Sequence, residues 1–233
     1  MDVIQGAKER ARAEVALAIK EQARAHLATE GPGRLSLRAV ARELGMVSSA
    51  LYRYFPSRDD LLTELIVDAY NAIGSAAESA YAKAADATPW GAWHATCEAV
   101  RAWALAHPHE YALLYGSPVP GYDAPQDTVA PASRVALVLL DVLEKAHAAG
   151  ALAVPEGAAD AEAVLGADVL PLLAERSLPA CVVTSAAAAW AQLFGLISFE
   201  VLGQFNRVIE DREALFTQGA GALARQVGLS AQG

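Results

Sequence analysis

Little in this chain can do covalent or metal chemistry. Of 233 residues only two are cysteine, Cys97 and Cys181, and their spacing fits neither a zinc set nor a redox pair. A disulfide framework is thereby excluded, and a reducing, cytoplasmic setting is expected. His107, His109 and Glu110 lie close together. Pro108 separates the two rings, and an i, i+2 spacing on a helix turns them to different faces. They read as a helix cap and solvent-facing polar groups. His94 and Cys97 are three apart on one expected helix, with no second pair to complete a site. No nucleophile motif, P-loop or dinucleotide fingerprint occurs. The adjacent carboxylates Asp59-Asp60 and Glu210-Asp211 stand at expected helix starts, where the dipole favours anions, and not as an acid/base pair. No enzyme is therefore expected, and no cofactor or metal. No run alternates as a strand would, and no repeat is present, so the fold class expected is all-α.

Positive charge is also scarce: 18 Lys+Arg against 27 Asp+Glu, a net charge of −9. Its distribution is uneven. Residues 1–60 carry 10 basic and 8 acidic side chains, net +2; residues 61–233 carry 8 and 19, net −11. An acidic body would leave the basic end as the one surface able to approach a polyanion. Apolar residues make up 54%, which excludes disorder. The charged start, Asp2 to Arg12, does not read as a secretory signal.

What the chain does have is a distinctive stretch at 36–58. Ser36 can cap a helix, along which Val40, Ala41 and Leu44 share a face. Gly45 can end it in a left-handed conformation. Ala41 and Gly45, both small and four apart, would let a second helix cross closely. Ser48 is the expected cap of that helix, over 49–54. Leu51 and Phe55 would point inward, leaving Ser49, Ala50, Tyr52, Arg53 and Tyr54 outside. Such a surface suits the major groove of DNA, where Arg and hydroxyls meet base edges and phosphates. Pro56 stops the helix, and Ser57 with Asp60 opens the next. Arg58 at that N-terminus is an odd place for a cation unless a phosphate arrives there.

Leu37–Gly45, followed by Val47-Ser-Ser-Ala-Leu-Tyr-Arg-Tyr-Phe-Pro-Ser-Arg-Asp-Asp-Leu-Leu62, resembles the DNA-binding domain of the TetR family of bacterial regulators. The resemblance covers roughly residues 12–70, with Gly45, Leu51, Tyr52, Phe55 and Leu61 at the family's positions. Arg58 stands where the family usually has Lys, and Tyr54 where it often has His. The segments Trp190–Glu200 and His107–Tyr111 resemble one C-terminal ligand-binding subgroup, the WHG type.

Helices are expected at 8–29, 57–84, 89–106, 107–115, 134–149, 159–174 and 211–227, with Pro171 interrupting the sixth. The first carries Val15, Ile19, Ala23 and Leu27 on one face. Residues 116–131 should form a long loop. Residues 178–199 hold no charge. They could span a membrane, form a buried helix, or form a dimer interface in which Ala189, Gly195 and Leu196 admit a second copy. The bulk on one side (Trp190, Phe194, Ile197, Val201) favours a soluble protein.

The architecture expected is an N-terminal three-helix helix-turn-helix domain at 1–56, with the motif at 36–55. A long helix would join it to a larger helical bundle at 57–233. The resemblance implies a DNA-binding transcription regulator, a repressor released from its operator by a small apolar ligand. Arg34, Arg38, Tyr52, Tyr54 and Arg58 are the expected phosphate contacts. Ser48, Ser49 and Arg53 are the expected base contacts, and Ser36, Val47 and Ala50 border them. Trp93, Cys97, Trp103, Tyr111, Trp190 and Phe194 would be core residues by default; the resemblance implies that some of them line a ligand cavity. The partners expected are double-stranded operator DNA, a small-molecule effector, and a second copy joined through 179–205 and 211–227. The rivals are a regulator without an effector, a helical interaction module, and an enzyme carrying a three-helix subdomain.

Overall fold

The computed structural model describes residues 3–154, 161–166 and 175–231. The helices are α1 (Val3–Glu30), α2 (Leu37–Glu43), α3 (Ser48–Leu51), α4 (Arg58–Lys83), α5 (Pro89–Ala106), α6 (Pro108–Tyr115), α7 (Val129–Ala148), a short α8 (Ala161–Val164), α9 (Ala180–Val201) and α10 (Arg212–Gln226). The fold is all-α. Among the described residues the β feature is an isolated bridge between Leu152 and Leu229. Most of the helix expected at 159–174, with Pro171, lies outside the described residues.

Several boundaries differ from expectation for local reasons. α1 begins at Val3 and not at 8: Gly6 inside it costs only about 1 kcal/mol, too little to stop the helix. α7 begins at Val129, five residues early. Pro131 falls in its first turn, where no intrahelical N–H is required, so the proline does not break it. Leu105, near the end of α5, is 42% exposed.

The chain packs as two compact units. The first takes in Met1–Tyr70 and His107–Val129, the second Asn71–Ala106 and Ala130–Gly233. This division cuts α4 at mid-length and assigns α6 to the first unit, unlike a division at 56/57. The reason is in the side chains. Leu113 of α6 sits in the same core as Ile19, Leu27, Val40, Leu51, Phe55 and Leu62. Tyr115 meets Tyr70 edge-on, ring centroids 6.1 Å apart. Each fully buried leucine in this core contributes about 2 kcal/mol by removal from water.

A half-buried charge network binds α1, α4 and α6 of this core. Asp68 of α4 accepts from Lys20 Nζ at 2.8 Å and from Arg24 Nη2 at 2.6 Å, both on α1. Arg24 Nε also lies 3.3 Å from Glu110 of α6. Burial, with Tyr70 and Tyr111 alongside, pushes the Tyr115 hydroxyl far above its ordinary range.

In the second unit α5, α9 and α10 share a core. Trp93, fully buried on α5, donates its indole N–H to the carbonyl of Ala220 on α10 at 3.1 Å. Arg101 makes a two-pronged pair with Glu200 at the end of α9, both bonds 2.8 Å. Its guanidinium also lies over the Phe216 ring at 5.1 Å. α9 is long and apolar enough to cross a membrane. Its inner stripe is part of this core instead: Val182, Ala189, Leu193 and Ile197 are fully buried. Ala189 therefore does not admit a second copy, as its spacing had suggested. It faces its own chain. Gly195 and Leu196 do remain partly open.

Candidate nucleic-acid interface

Ser36 opens α2, its Oγ accepting from the Ala39 N–H at 3.4 Å. α2 closes through Gly45, whose φ of 65° lies in the left-handed region. Gly45 N–H reaches Arg42 O at 3.1 Å and Met46 N–H reaches Ala41 O at 2.8 Å. This pair of bonds is the Schellman closure, which satisfies the last carbonyls of a helix. A Cβ on Gly45 would meet nothing within 4 Å. Its role is therefore conformational. It does not, as the spacing suggested, make room for a crossing helix; Ala41, fully buried, faces that contact alone.

α3 differs in two ways from the expected 49–54. Val47 and not Ser48 occupies the capping position, in extended conformation and with no side-chain cap. The regular helix also ends at Leu51, and residues 52–54 continue as turns, with Arg53 N–H on Ala50 O at 3.3 Å and Tyr54 N–H on Leu51 O at 2.8 Å. Pro56 lies too close for a further helical turn. The face assignment follows the sequence pattern. Leu51 and Phe55 are buried in the core of the first unit, the head. Ser49, Tyr52 and Arg53 are exposed, and Ala50 and Ser48 partly so. Val47 is 70% exposed, which puts an apolar side chain at the leading edge.

The surrounding cations vary in availability. Arg34 and Arg38 are exposed, Arg34 with only a loose pair to Glu30 at 3.5 Å. Arg58 is already engaged: it donates to Pro32 O at 2.9 Å and lies 3.3 Å from Asp59. Its bond to Pro32 O ties α4 to the turn after α1. Ser57 and Asp60 reciprocate there, Asp60 N–H on Ser57 Oγ at 3.1 Å. Tyr54 is half-buried against the head core, with the Arg12 guanidinium 5.5 Å above its ring. Arg12 was not among the expected site residues. No spacing rule links it to a segment 41 positions away.

The six candidate ligand residues divide between the units. Tyr111 is fully buried in the first, its ring tilted against that of Tyr115 with centroids 5.1 Å apart. Trp93, Cys97 and Trp103 are buried on α5. Trp190 and Phe194 meet on α9 at 5.5 Å. Burial, with Glu98 beside it, pushes the Cys97 thiol far up, so it stays protonated and inert. His94 Nδ1 is bonded to Trp90 O at 3.0 Å rather than turned toward Cys97. None of the six lines the groove of about 500 Å³ between α9 and α10, which is walled by Gly195, Leu196, Phe199, Phe205, Gly219 and Leu223. A Cβ on Gly219 would stand 2.7 Å from Leu196 Cδ1, so that side chain would have to swing aside. No group of three metal-binding side chains occurs among the described residues.

Two family models match. "Bacterial regulatory proteins, tetR family" covers residues 19–65, and "Tetracyclin repressor-like, C-terminal domain" covers residues 93–223. The chain is 41% identical over 208 residues to the HTH-type transcriptional regulator Rv1816 of Mycobacterium tuberculosis, with 86% of each chain covered. Among solved structures, that of SCO4313 has a TM-score of 0.77 at 38% identity, covering 92% of this chain and 97% of that one. RolR, solved in complex with resorcinol, shares the fold at a TM-score of 0.56 and 14% identity, covering 96% and 92%.

Proposed function

The chain belongs to the TetR family of bacterial regulatory proteins and is a DNA-binding transcriptional regulator, not an enzyme. On that ground we propose that it is a cytoplasmic, homodimeric repressor, released from its operator by a small apolar ligand. One observation carries the reading. Ser49, Tyr52 and Arg53 face solvent while Leu51 and Phe55 anchor the same short segment from behind. That surface offers hydroxyls and a guanidinium to base edges and phosphates.

In this reading residues 1–56 make the DNA contact, and 57–233 bind ligand and dimerise. Ser48, Ser49 and Arg53 meet bases. Arg34, Arg38, Tyr52, Tyr54 and Arg58 hold phosphate, with Ser36, Val47 and Ala50 at the border. The acidic remainder of the chain keeps other surfaces off the DNA. The apolar groove on α9 and α10 takes the second copy. Phe199 and Val208, 52% and 71% exposed, support that assignment.

Within the second unit, ligand binding draws on Trp93, Cys97, Trp103, Trp190 and Phe194. Its coupling to DNA affinity is expected at about 1–3 kcal/mol. RolR, with the same fold, is solved with resorcinol, so small aromatic compounds are the first class to screen.

The test is selection of duplexes by the full chain from a random-sequence pool. A near-palindromic sequence should be enriched, and Tyr52→Ala should weaken binding to it by about tenfold or more. Absence of enrichment, or unchanged affinity, refutes the reading.

A further inference from the structure

Pro56 strands an acceptor. In a helical run the carbonyl of residue 53 is taken by the N–H three or four positions on. Three positions on is Pro56, which has no N–H. Among the described residues no backbone N–H reaches the Arg53 oxygen. A side chain from α1 does. Arg12 Nη2 donates to Arg53 O at 3.1 Å. The same guanidinium lies over the ring of Tyr54, 5.5 Å from its centroid. One cation thus grips two consecutive residues at the end of the exposed segment, by a hydrogen bond and by a ring contact.

The Arg53 side chain is exposed, and no protein group bonds it among the described residues. Its direction is set by its backbone alone. On the N-terminal side that backbone is held by a long bond to Ala50 O, 3.3 Å. On the C-terminal side it is held by Arg12. A bidentate contact from Arg to a guanine edge requires both N–H groups to be aimed together. A contact to phosphate is far more tolerant, because charge alone suffices.

We propose that Arg12 is a positioning residue for sequence discrimination, fixing the backbone at 53–54 so that Arg53 is aimed at a base edge. The inference rests on the DNA-binding reading above. It predicts that Arg12 governs the choice among sequences and contributes little to general attraction for DNA.

The experiment uses the full chain and two probes: the duplex that the wild type selects from a random pool, and a scrambled duplex of the same composition. Affinities are measured from about 50 to 200 mM salt. Arg12→Ala should weaken the selected duplex about tenfold and the scrambled one less than about twofold. Its slope of log affinity against log salt should be unchanged. Arg12→Gln, which keeps an N–H donor without the charge, should restore part of the loss. On an Arg53→Ala background, Arg12→Ala should cost less than about twofold, since there is no longer a side chain to aim.

An equal loss on both duplexes with a slope reduced by about 1 would make Arg12 a phosphate contact and overturn the proposal. Additivity of the two substitutions, or no loss at all, would also overturn it. If Arg12→Ala lowers the melting temperature, Arg12→Gln decides by the same criteria. Failure of the wild type to select any sequence overturns the DNA reading and this inference together. Intact selection with unchanged discrimination in Arg12→Ala removes this inference alone.

Discussion

At the scale of single residues, the head depends on two positions with opposite demands. Leu51 is fully buried and fastens the recognition segment to the core. Leu51→Ala should cost about 3 kcal/mol in chemical denaturation through lost transfer and the cavity left behind, and should weaken DNA binding with it. Gly45 is in open space and needs only its positive φ. Gly45→Ala should cost about 1 kcal/mol, and Gly45→Asn less, because Asn tolerates the left-handed region better. A larger loss for Asn than for Ala would show that volume matters there, against the geometry. Both residues were legible in the sequence, since burial at i, i+4 and a glycine after an amphipathic helix are local signals. Arg12 was not. Its partner is a backbone oxygen 41 residues away, and nothing in residue type or spacing announces an orphan carbonyl.

At the scale of elements, the informative contacts are those that clamp one helix to another. Arg134 of α7 lies across α4, donating to both Glu78 oxygens at 2.7 and 2.6 Å and to Asn71 O at 2.9 Å. Its hydrogen bonds hold the Glu78 carboxyl below the ordinary value of 4.5. A depressed carboxylate stabilises the fold above its unfolded value and loses that effect as pH falls through the folded one. The contribution is therefore present at neutral pH and fades below about 4.5. Glu78→Gln should flatten part of the acid limb of stability against pH, measured by urea midpoints, while leaving neutral stability only modestly lower. A wild-type acid limb retained in the variant would contradict this clamp. In the first unit, Arg24 serves Asp68 and Glu110 at once. Arg24→Ala leaves two half-buried carboxylates short of a partner and should cost about 2 kcal/mol in urea unfolding. The helices themselves were largely legible from periodicity: α5 was expected at 89–106 and is found as Pro89–Ala106. The early start of α7 was not, because Pro131 reads as a breaker unless it is known to lie in a first turn. The grouping of α6 with the head was hidden too. It depends on Leu113 and Glu110 meeting α1 and α4, and sequence separation conceals such meetings.

At the scale of the whole molecule, the uncharged run at 178–199 left three readings open, and burial of its inner stripe makes it a core helix with one apolar face uncovered. In the proposed reading, that face and the groove beside it take a second copy. The combined change Phe199→Asp with Val208→Asp alters exposed side chains only, so the chain should still fold. Its mass by sedimentation should fall from twice 24.4 kDa to one chain, and its affinity for DNA should fall with it. A variant that stays dimeric would move the interface elsewhere. Two copies reading one operator must present their segments about 34–36 Å apart, one turn of DNA. Hydroxyl-radical footprinting of the full chain on its selected duplex tests this most directly. The account predicts two protected patches on one face of the duplex, centred about 10 base pairs apart, both lost with Tyr52→Ala. Uniform protection, or patches that persist in Tyr52→Ala, would contradict it.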